Sequence, residues 1–336
     1  MLGNEKNLEF LRESAAAGRL SHAYIVSGPR GMGKKTFALN AAAALLCTSR
    51  RASSFYPCGK CPACRKSLSG NNPDIIRVTH EKKNLLSVDE IRDEIVRDIY
   101  IKPFQGPYKI YIVEDACLMP EEAQNALLKT LEEPPSYAVI FLLADNASLL
   151  LDTIKSRGIR LDMEALSRNT IEAELMKKGV SKEEAAKDAA FCRGNLGQAL
   201  EIAQDPEESA FLKYAADFLS DIEHKDAEEI FKAGEEFSAQ SDLNVLDILR
   251  KWFRDVLLLK AEAGGDLYFP SEKKALFKQA AAMSYENINC VFADLDEAAE
   301  RLKYNVNPRA VYEALLLRIR ENSCRPDLAG GRNLIK

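Results

Sequence analysis

The octapeptide Gly28-Pro29-Arg30-Gly31-Met32-Gly33-Lys34-Lys35 constrains the fold of this chain more than any other stretch. It fits the phosphate-loop pattern G-x-x-x-x-G-K-[ST] at every fixed position except the last. In that pattern the glycines let successive backbone N–H groups close around phosphate oxygens, and the lysine reaches the terminal phosphates. The final hydroxyl ligates Mg²⁺. Here a cation, Lys35, stands at the hydroxyl position, and Thr36 follows one residue late. A shift of one residue turns a helical side chain by about 100°, so Thr36 does not point where the metal ligand belongs. Gly28, Gly31, Gly33, Lys34, Lys35 and Thr36 therefore form a degenerate loop. ATP or ADP is expected to bind it weakly or not at all.

The flanking sequence supplies the context such a loop needs. Ala23–Ser27 reads as a strand running into the loop, and Lys34–Leu46, rich in Ala and Leu, as the helix that follows. Lys109–Val113 reads as a second buried strand ending in Glu114-Asp115, and Tyr137–Ala144 as a third. Between them, Ser87 and Glu90 form a capping box opening a helix to about Ile99, and a helix starts at Pro120 and stops at Pro134-Pro135. Alternating strands and helices predict a parallel α/β sheet with ligand at the carboxyl ends of its strands. After about Leu161 the strand pattern disappears. Thr170–Lys178, Lys182–Cys192 and Leu196–Gln204 read as three short helices, and from Pro206 onward the chain is helical. In Leu243–Lys260 the apolar positions Leu246, Leu249, Phe253, Val256 and Leu257 surround Trp252 at helical spacing. Asn307-Pro308 marks the start of a last helix, and the tail from Arg325 is expected to fray.

Cys58-Gly59-Lys60-Cys61-Pro62-Ala63-Cys64 supplies three sulfurs at C-x₂-C-x₂-C spacing, and Cys47, with ten residues intervening, lies upstream as the natural fourth. Four thiolates suit a closed structural Zn²⁺ site; an iron–sulfur cluster and a redox C-x-x-C pair are the competing chemistries. A reducing compartment favours metal over disulfides. The longest apolar run, Tyr137–Ala144, is far short of the ~20 residues that span a bilayer. With no targeting segment visible at the N-terminus, the expected location is cytoplasmic, with no membrane partner. A net charge of −5 argues against a dedicated nucleic-acid coat.

The loop, the cysteine cluster, Ala126-Leu127-Leu128-Lys129-Thr130-Leu131-Glu132-Glu133-Pro134-Pro135 and Ser156-Arg157 together resemble the AAA+ clamp-loader subunits of the bacterial replicative polymerase, DNA polymerase III. The resemblance covers the ATPase core and lid, and the C-terminal third in outline. It implies an α/β P-loop AAA+ module, a parallel sheet with flanking helices and a zinc knuckle, then a small helical lid and an all-α collar. The implied boundaries are 1–162 for the core, with the zinc module at 47–64, then 163–205 for the lid, 206–324 for the collar and 325–336 for a flexible tail. The family carries such a zinc module in the same place, which supports Zn²⁺ on Cys47, Cys58, Cys61 and Cys64.

Three departures set the chain apart from the hydrolysing tau/gamma type. Lys35 replaces the metal-ligating hydroxyl, Glu114-Asp115 stands where those relatives carry Asp-Glu, and Gly197 stands where they carry a sensor arginine. Exchanging two carboxylate lengths displaces both by a methylene, and general-base work depends on placement at the ångström scale. Ser156-Arg157 remains, with Gly158 replacing the family's cysteine. The resemblance implies that Arg157 acts as a finger on ATP held by a neighbouring subunit. From the residues alone, Arg157 reads equally as a surface group capping its helix or pairing with Asp152. The implied partners are tau/gamma-type ATPase subunits and a delta subunit in a hetero-oligomeric ring. A sliding clamp, and primer-template DNA met through the assembly, complete the set. A hydrolysing tau/gamma-type ATPase and a nucleotide-binding switch that does not hydrolyse remain the alternatives. His22, Glu132 and Glu133 look catalytic only in isolation; a backbone contact and helix-end solvation account for them. Cys117, Cys192, Cys290 and Cys324 read as buried packing residues.

Overall fold

The computed structural model describes residues 2–49, 55–79, 86–240, 245–304 and 306–324. The chain forms two compact units. One comprises Met1–Ser167 with Gly194–Gln198, the other Arg168–Arg193 with Ala199–Lys336.

The first unit is built on a five-stranded sheet. Its elements run α1 (Glu5–Ala16), β1 (Ala23–Ser27), α2 (Lys34–Leu45), α3 (Pro62–Leu68), β2 (Ile75–Val78), α4 (Val88–Ile91), β3 (Lys109–Val113), α5 (Glu121–Glu132), β4 (Ala138–Ala144), α6 (Asp152–Lys155) and β5 (Ile159–Asp162). The spatial order is β2-β3-β4-β1-β5, with every pairing parallel. Strands β1, β3 and β4 are buried along their whole length, as their unbroken apolar runs require of a sheet covered on both faces. Tyr24, Val26, Ile112 and Phe141 pack with Phe37 and the alanines of α2 on one face. Ile25, Tyr111, Ile140 and Leu142 pack with Ile91, Leu127 and Ile154 on the other. Ala38, Ala41, Ala42 and Ala44 are fully buried, so the small side chains of α2 let its backbone lie close against the sheet. That closeness fixes the loop at its N-terminus.

Strands β1, β3 and β4 stand where the sequence predicts them, and the sheet has two more. Strands β2 and β5 are four residues each, lie at the two sheet edges and keep polar positions exposed, so neither shows an apolar run. The capping box at Ser87 is present: Ser87 Oγ accepts from Glu90 N at 3.2 Å, and Glu90 Oε2 accepts from Ser87 N at 2.6 Å. The helix it opens is shorter than expected in α form. It ends at Ile91 and widens into a π turn over Arg92–Val96.

The second unit is helical throughout its described residues: α7 (Arg168–Lys177), α8 (Lys182–Cys192), α9 (Leu196–Gln204, whose first turn belongs to the first unit), α10 (Pro206–Ser220), α11 (Ala227–Ala239), α12 (Val245–Lys260), α13 (Lys273–Ala282), α14 (Tyr285–Lys303) and α15 (Pro308–Cys324). Helix α15 packs against α11 and α14, and α12 against α13 and α14. Phe237 sits within aromatic contact of Phe211, Tyr214, Phe218 and Tyr312. Trp252, fully buried, donates from Nε1 to Gln279 Oε1 at 2.8 Å, and Gln279 donates onward to Leu219 O at 2.6 Å. The expected stripe on α12 is confirmed at Leu246, Leu249, Phe253 and Val256, with Leu257 only half-buried. The start expected at Leu243 and the tail from Arg325 lie outside the described residues.

Candidate functional site

The loop 28–35 leaves the carboxyl end of β1, the strand between β4 and β5. Gly31 and Gly33 adopt φ of 86° and 83°, a left-handed backbone that an L side chain rarely takes. The cradle is thus formed, and two of its N–H groups and the Lys34 ammonium are engaged within the chain. Gly28 N donates to Ala144 O at 3.1 Å, and Met32 N to Pro29 O at 3.3 Å. Lys34 Nζ donates to Gly28 O at 2.6 Å and Pro29 O at 3.1 Å, and pairs with Asp145 Oδ1 at 2.5 Å. The lysine that reaches phosphates in an active loop here ties the loop to the end of β4.

The metal side of the site is filled by cations. Glu114, at the end of β3, faces Lys35 Nζ at 2.9 Å through Oε2. Its Oε1 accepts from Arg77 Nη2 at 2.7 Å and Nε at 3.0 Å. Two fixed positive charges therefore stand on the carboxylate that would face Mg²⁺, and Thr36 is exposed to solvent. The residues present do not fit a divalent ion at this point. Asp115 is exposed and adopts a left-handed φ of 49°.

The segment Gly194–Gln198 lies on the loop. Asn195 Nδ2 donates to Arg30 O at 2.7 Å, and Gly197 N donates to Gly31 O at 3.0 Å. A Cβ at Gly197 would run into the Gly31 backbone, and one at Gly31 would run into the Asn195 side-chain oxygen. Gly197 is thus demanded by a backbone-to-backbone approach that any side chain would block. Arg77, Asp145 and Asn195 were not singled out from sequence. The readable signal for Asp145 was its place just after a buried parallel strand.

Arg157 follows α6 and is about one-third exposed. Its Nη1 donates to Thr153 O at 2.8 Å, and its Nη2 pairs with Glu132 Oε1 at 2.6 Å. It therefore caps its helix, as the residues allowed, but its carboxylate partner is Glu132; Asp152 pairs with Lys155 at 2.8 Å. A half-exposed pair of this kind contributes little to stability.

The four cysteines converge. Cys47, Cys58, Cys61 and Cys64 bring their sulfurs within 4.8 Å of one another, with Cys58–Cys64 and Cys47–Cys61 at 3.9 Å. Four Zn–S bonds of about 2.3 Å around a tetrahedral ion separate the sulfurs by about 3.8 Å, so the cluster can hold such a metal. Burial pushes the Cys61 thiol up, but hydrogen bonds from the Cys64 and Thr48 backbone outweigh it and hold it at about 5. Burial pushes Cys64 up to about 12. Of the remaining cysteines with described side chains, Cys192 is buried as expected, whereas Cys117 and Cys290 are only half-buried. His22 makes the backbone contact expected of it, Nδ1 lying 3.2 Å from Ala138 O.

Comparison with known proteins agrees with this geometry. Residues 3–167 match the family described as DNA polymerase III, delta subunit. The delta' subunit of DNA polymerase III from Bacillus subtilis (strain 168) is 27% identical over 320 residues, covering 94% of this chain and 95% of that protein. The tau subunit of the same organism is 27% identical over 96% of this chain and 61% of its own length. The delta' subunit of Pseudomonas aeruginosa is 38% identical over 141 residues, 42% of each chain. Over nearly its whole length the chain is similar to the delta' and tau subunits of DNA polymerase III.

Proposed function

We propose that this chain is a clamp-loader subunit of the delta-prime type, a stator that hydrolyses no ATP itself and lends Arg157 to ATP held by a neighbouring tau/gamma-type subunit. The observation that carries this reading is the clasp of Glu114 by Lys35 at 2.9 Å and Arg77 at 2.7 Å, which puts ammonium and guanidinium groups where Mg²⁺ would stand. The packing of Gly197 on Gly31 supports it from the opposite side of the loop. Arg157 suits the finger because its guanidinium is permanently charged, partly exposed, and held in place by a carbonyl and a surface carboxylate. In the neighbour's site it would stabilise charge developing on the transferred phosphoryl group.

The remaining parts follow from the same reading. Residues 163–205 act as the lid and 206–324 as the collar that joins tau/gamma-type and delta subunits in a ring, which opens a sliding clamp on primed DNA in the cytoplasm. Contact with DNA is limited to a few backbone contacts, in keeping with the net charge of −5. Cys47, Cys58, Cys61 and Cys64 hold Zn²⁺ as a structural knuckle with no open coordination position. A nucleotide-binding switch without hydrolysis has one observation in its favour, the retained left-handed glycines of the loop. Nucleotide analysis of freshly purified protein separates it from a stator with an empty loop.

The experiment that tests the main reading is ATP turnover by the reconstituted assembly with clamp and primed DNA, comparing Lys34→Ala with Arg157→Ala. The stator reading expects Arg157→Ala to cut turnover sharply and Lys34→Ala to leave it near wild type. The opposite pattern would mean that the loop is catalytic after all.

A further inference from the structure

We propose that the helical unit carries a receptor site for an organic cation on an apolar stem, seated in a cleft of about 690 Å³ with the carboxyl of Asp188 in its wall. The cleft is bounded by α8, α9, α10 and the segment 268–272, all within that unit. Phe191, Ile202, Leu212, Phe269 and Pro270 provide apolar surface. Its volume lies in the range of small-ligand pockets, which combine such walls with a few placed polar groups.

The argument turns on how this protein treats its buried aspartates. Among the described residues three are buried: Asp74, Asp188 and Asp255. Asp74 accepts from the backbone N–H groups of Phe104, Gln105 and Gly106. Asp255 accepts from Tyr268 N at 2.6 Å and Phe269 N at 3.0 Å, and pairs with Arg254 at 2.9 Å. Asp188 is 9% exposed, yet no hydrogen bond or ion pair reaches its carboxyl among the described residues. Its oxygens are not among the fully buried, unpartnered side-chain atoms of the described residues; they open onto the cleft, where water or a cationic group completes them.

The charges around it select the sign of what completes it. Lys187 and Glu184 stand on its own helix, and Lys178, Lys213, Asp217 and Glu272 face the cleft from the neighbouring segments, with the Tyr268 phenol beside them. Counting Asp188, four carboxylates line the cleft against three ammonium groups, and none of the three lysines pairs with Asp188. Burial, reinforced by Glu184 and opposed by Lys187, pushes Asp188 up to about 6, so it is largely ionised at neutral pH while still unpaired. An amine or guanidinium carried on an apolar body matches both features. It would come either from a free small molecule or from a basic side chain of a partner.

Isothermal titration of the full chain tests this with phenethylamine, its uncharged counterpart 2-phenylethanol, and an acetylated, amidated Phe-Arg dipeptide. At about pH 7.5 phenethylamine is expected to bind at least about ten-fold more tightly than 2-phenylethanol, because only the cation pairs with the carboxylate. Affinity should drop about ten-fold at about pH 5, where roughly one Asp188 in ten stays ionised. Asp188→Asn should abolish the preference for the amine, and Ala210→Trp at the cleft rim should block all three probes with the carboxyl untouched. Tighter binding of the dipeptide assigns the cation to a partner's side chain, and tighter binding of phenethylamine assigns it to a free amine. Equal affinity for the amine and the alcohol, unchanged amine binding by Asp188→Asn, or no heat from any probe at millimolar concentration would overturn the proposal.

Discussion

Replacing Asp188 by Asn is expected to stabilise the ligand-free protein at neutral pH, and the size of the gain follows from the residue's surroundings. Asp188 is nearly enclosed and unpartnered, and its carboxyl is pushed up from an ordinary 3.8 to about 6. Each pK unit corresponds to about 1.4 kcal/mol, so the carboxylate destabilises the fold by about 3 kcal/mol once fully ionised. The sign is set by linkage. With the folded pKa raised, the protonated form favours the native state below about 3.8, and that advantage is lost as pH rises through about 6. Asparagine carries no charge at any pH, so the difference between variant and wild type should be near zero below about pH 4 and reach a plateau above about pH 7. Water entering the open side of the cleft makes about 3 kcal/mol a ceiling. Trp252 provides the assay, because it is the chain's only tryptophan, is fully buried in the same unit, and packs on Phe269 with ring centroids 5.2 Å apart. Urea unfolding followed by its fluorescence should show a midpoint raised by up to about 1–3 M at pH 8 and hardly moved at pH 4. A loss of stability at pH 8, or a gain that does not vary with pH, would mean the carboxylate is paired in solution and the reasoning fails.

Two further outcomes bear on the first unit. Elemental analysis of freshly purified protein should find one zinc per chain, and Cys61→Ser or prolonged chelation should lower its thermal midpoint, since four thiolates close the site on the metal; full stability without metal would refute it. Lys35→Thr restores the pattern's hydroxyl but should leave phosphate release by the isolated chain at background, because Arg77 still neutralises Glu114 at 2.7 Å; measurable turnover would show that Lys35 alone blocks the metal.

Legibility in the sequence followed the physics of each element. Strands β1, β3 and β4 are buried on both faces and announced themselves as apolar runs, and Ser87 and Glu90 announced a capping box that is present. The edge strands β2 and β5 did not, because at four residues with exposed polar positions they carry neither a run nor an alternation long enough to count. The thiol cluster was legible because metal spacing is local in sequence. The partners of Lys35 and Arg157 were not, because Glu114 lies 79 positions from the first and Glu132 lies 25 from the second, and composition says nothing about which carboxylate the fold delivers. Asp188 was invisible for a related reason. In sequence it is one of several acids on a charged helix, and only packing leaves it enclosed without a partner.

The phosphate loop keeps the shape of the pattern while Lys35 and Arg77 face Glu114, and the contacts explain why. Contacts within this chain hold the loop at positions the pattern fixes and at one it leaves free, whereas Gly33, a fixed position, meets no neighbour and is set by its φ of 83°. Gly31 must lack a side chain because Asn195 and Gly197 lie against it, and its left-handed φ of 86° would strain any replacement. Lys34 must be long and cationic because its ammonium gathers two loop carbonyls and the carboxylate of Asp145, and its side chain is only 10% exposed. A shorter or neutral side chain would leave those oxygens without a donor, at a cost of about 1–3 kcal/mol for each one buried. A glycine-rich loop and its lysine are therefore evidence of a backbone shape first and of phosphate chemistry second. What separates the two is the position after the lysine. A hydroxyl there has no partner until a metal arrives, whereas Lys35 already has one in Glu114.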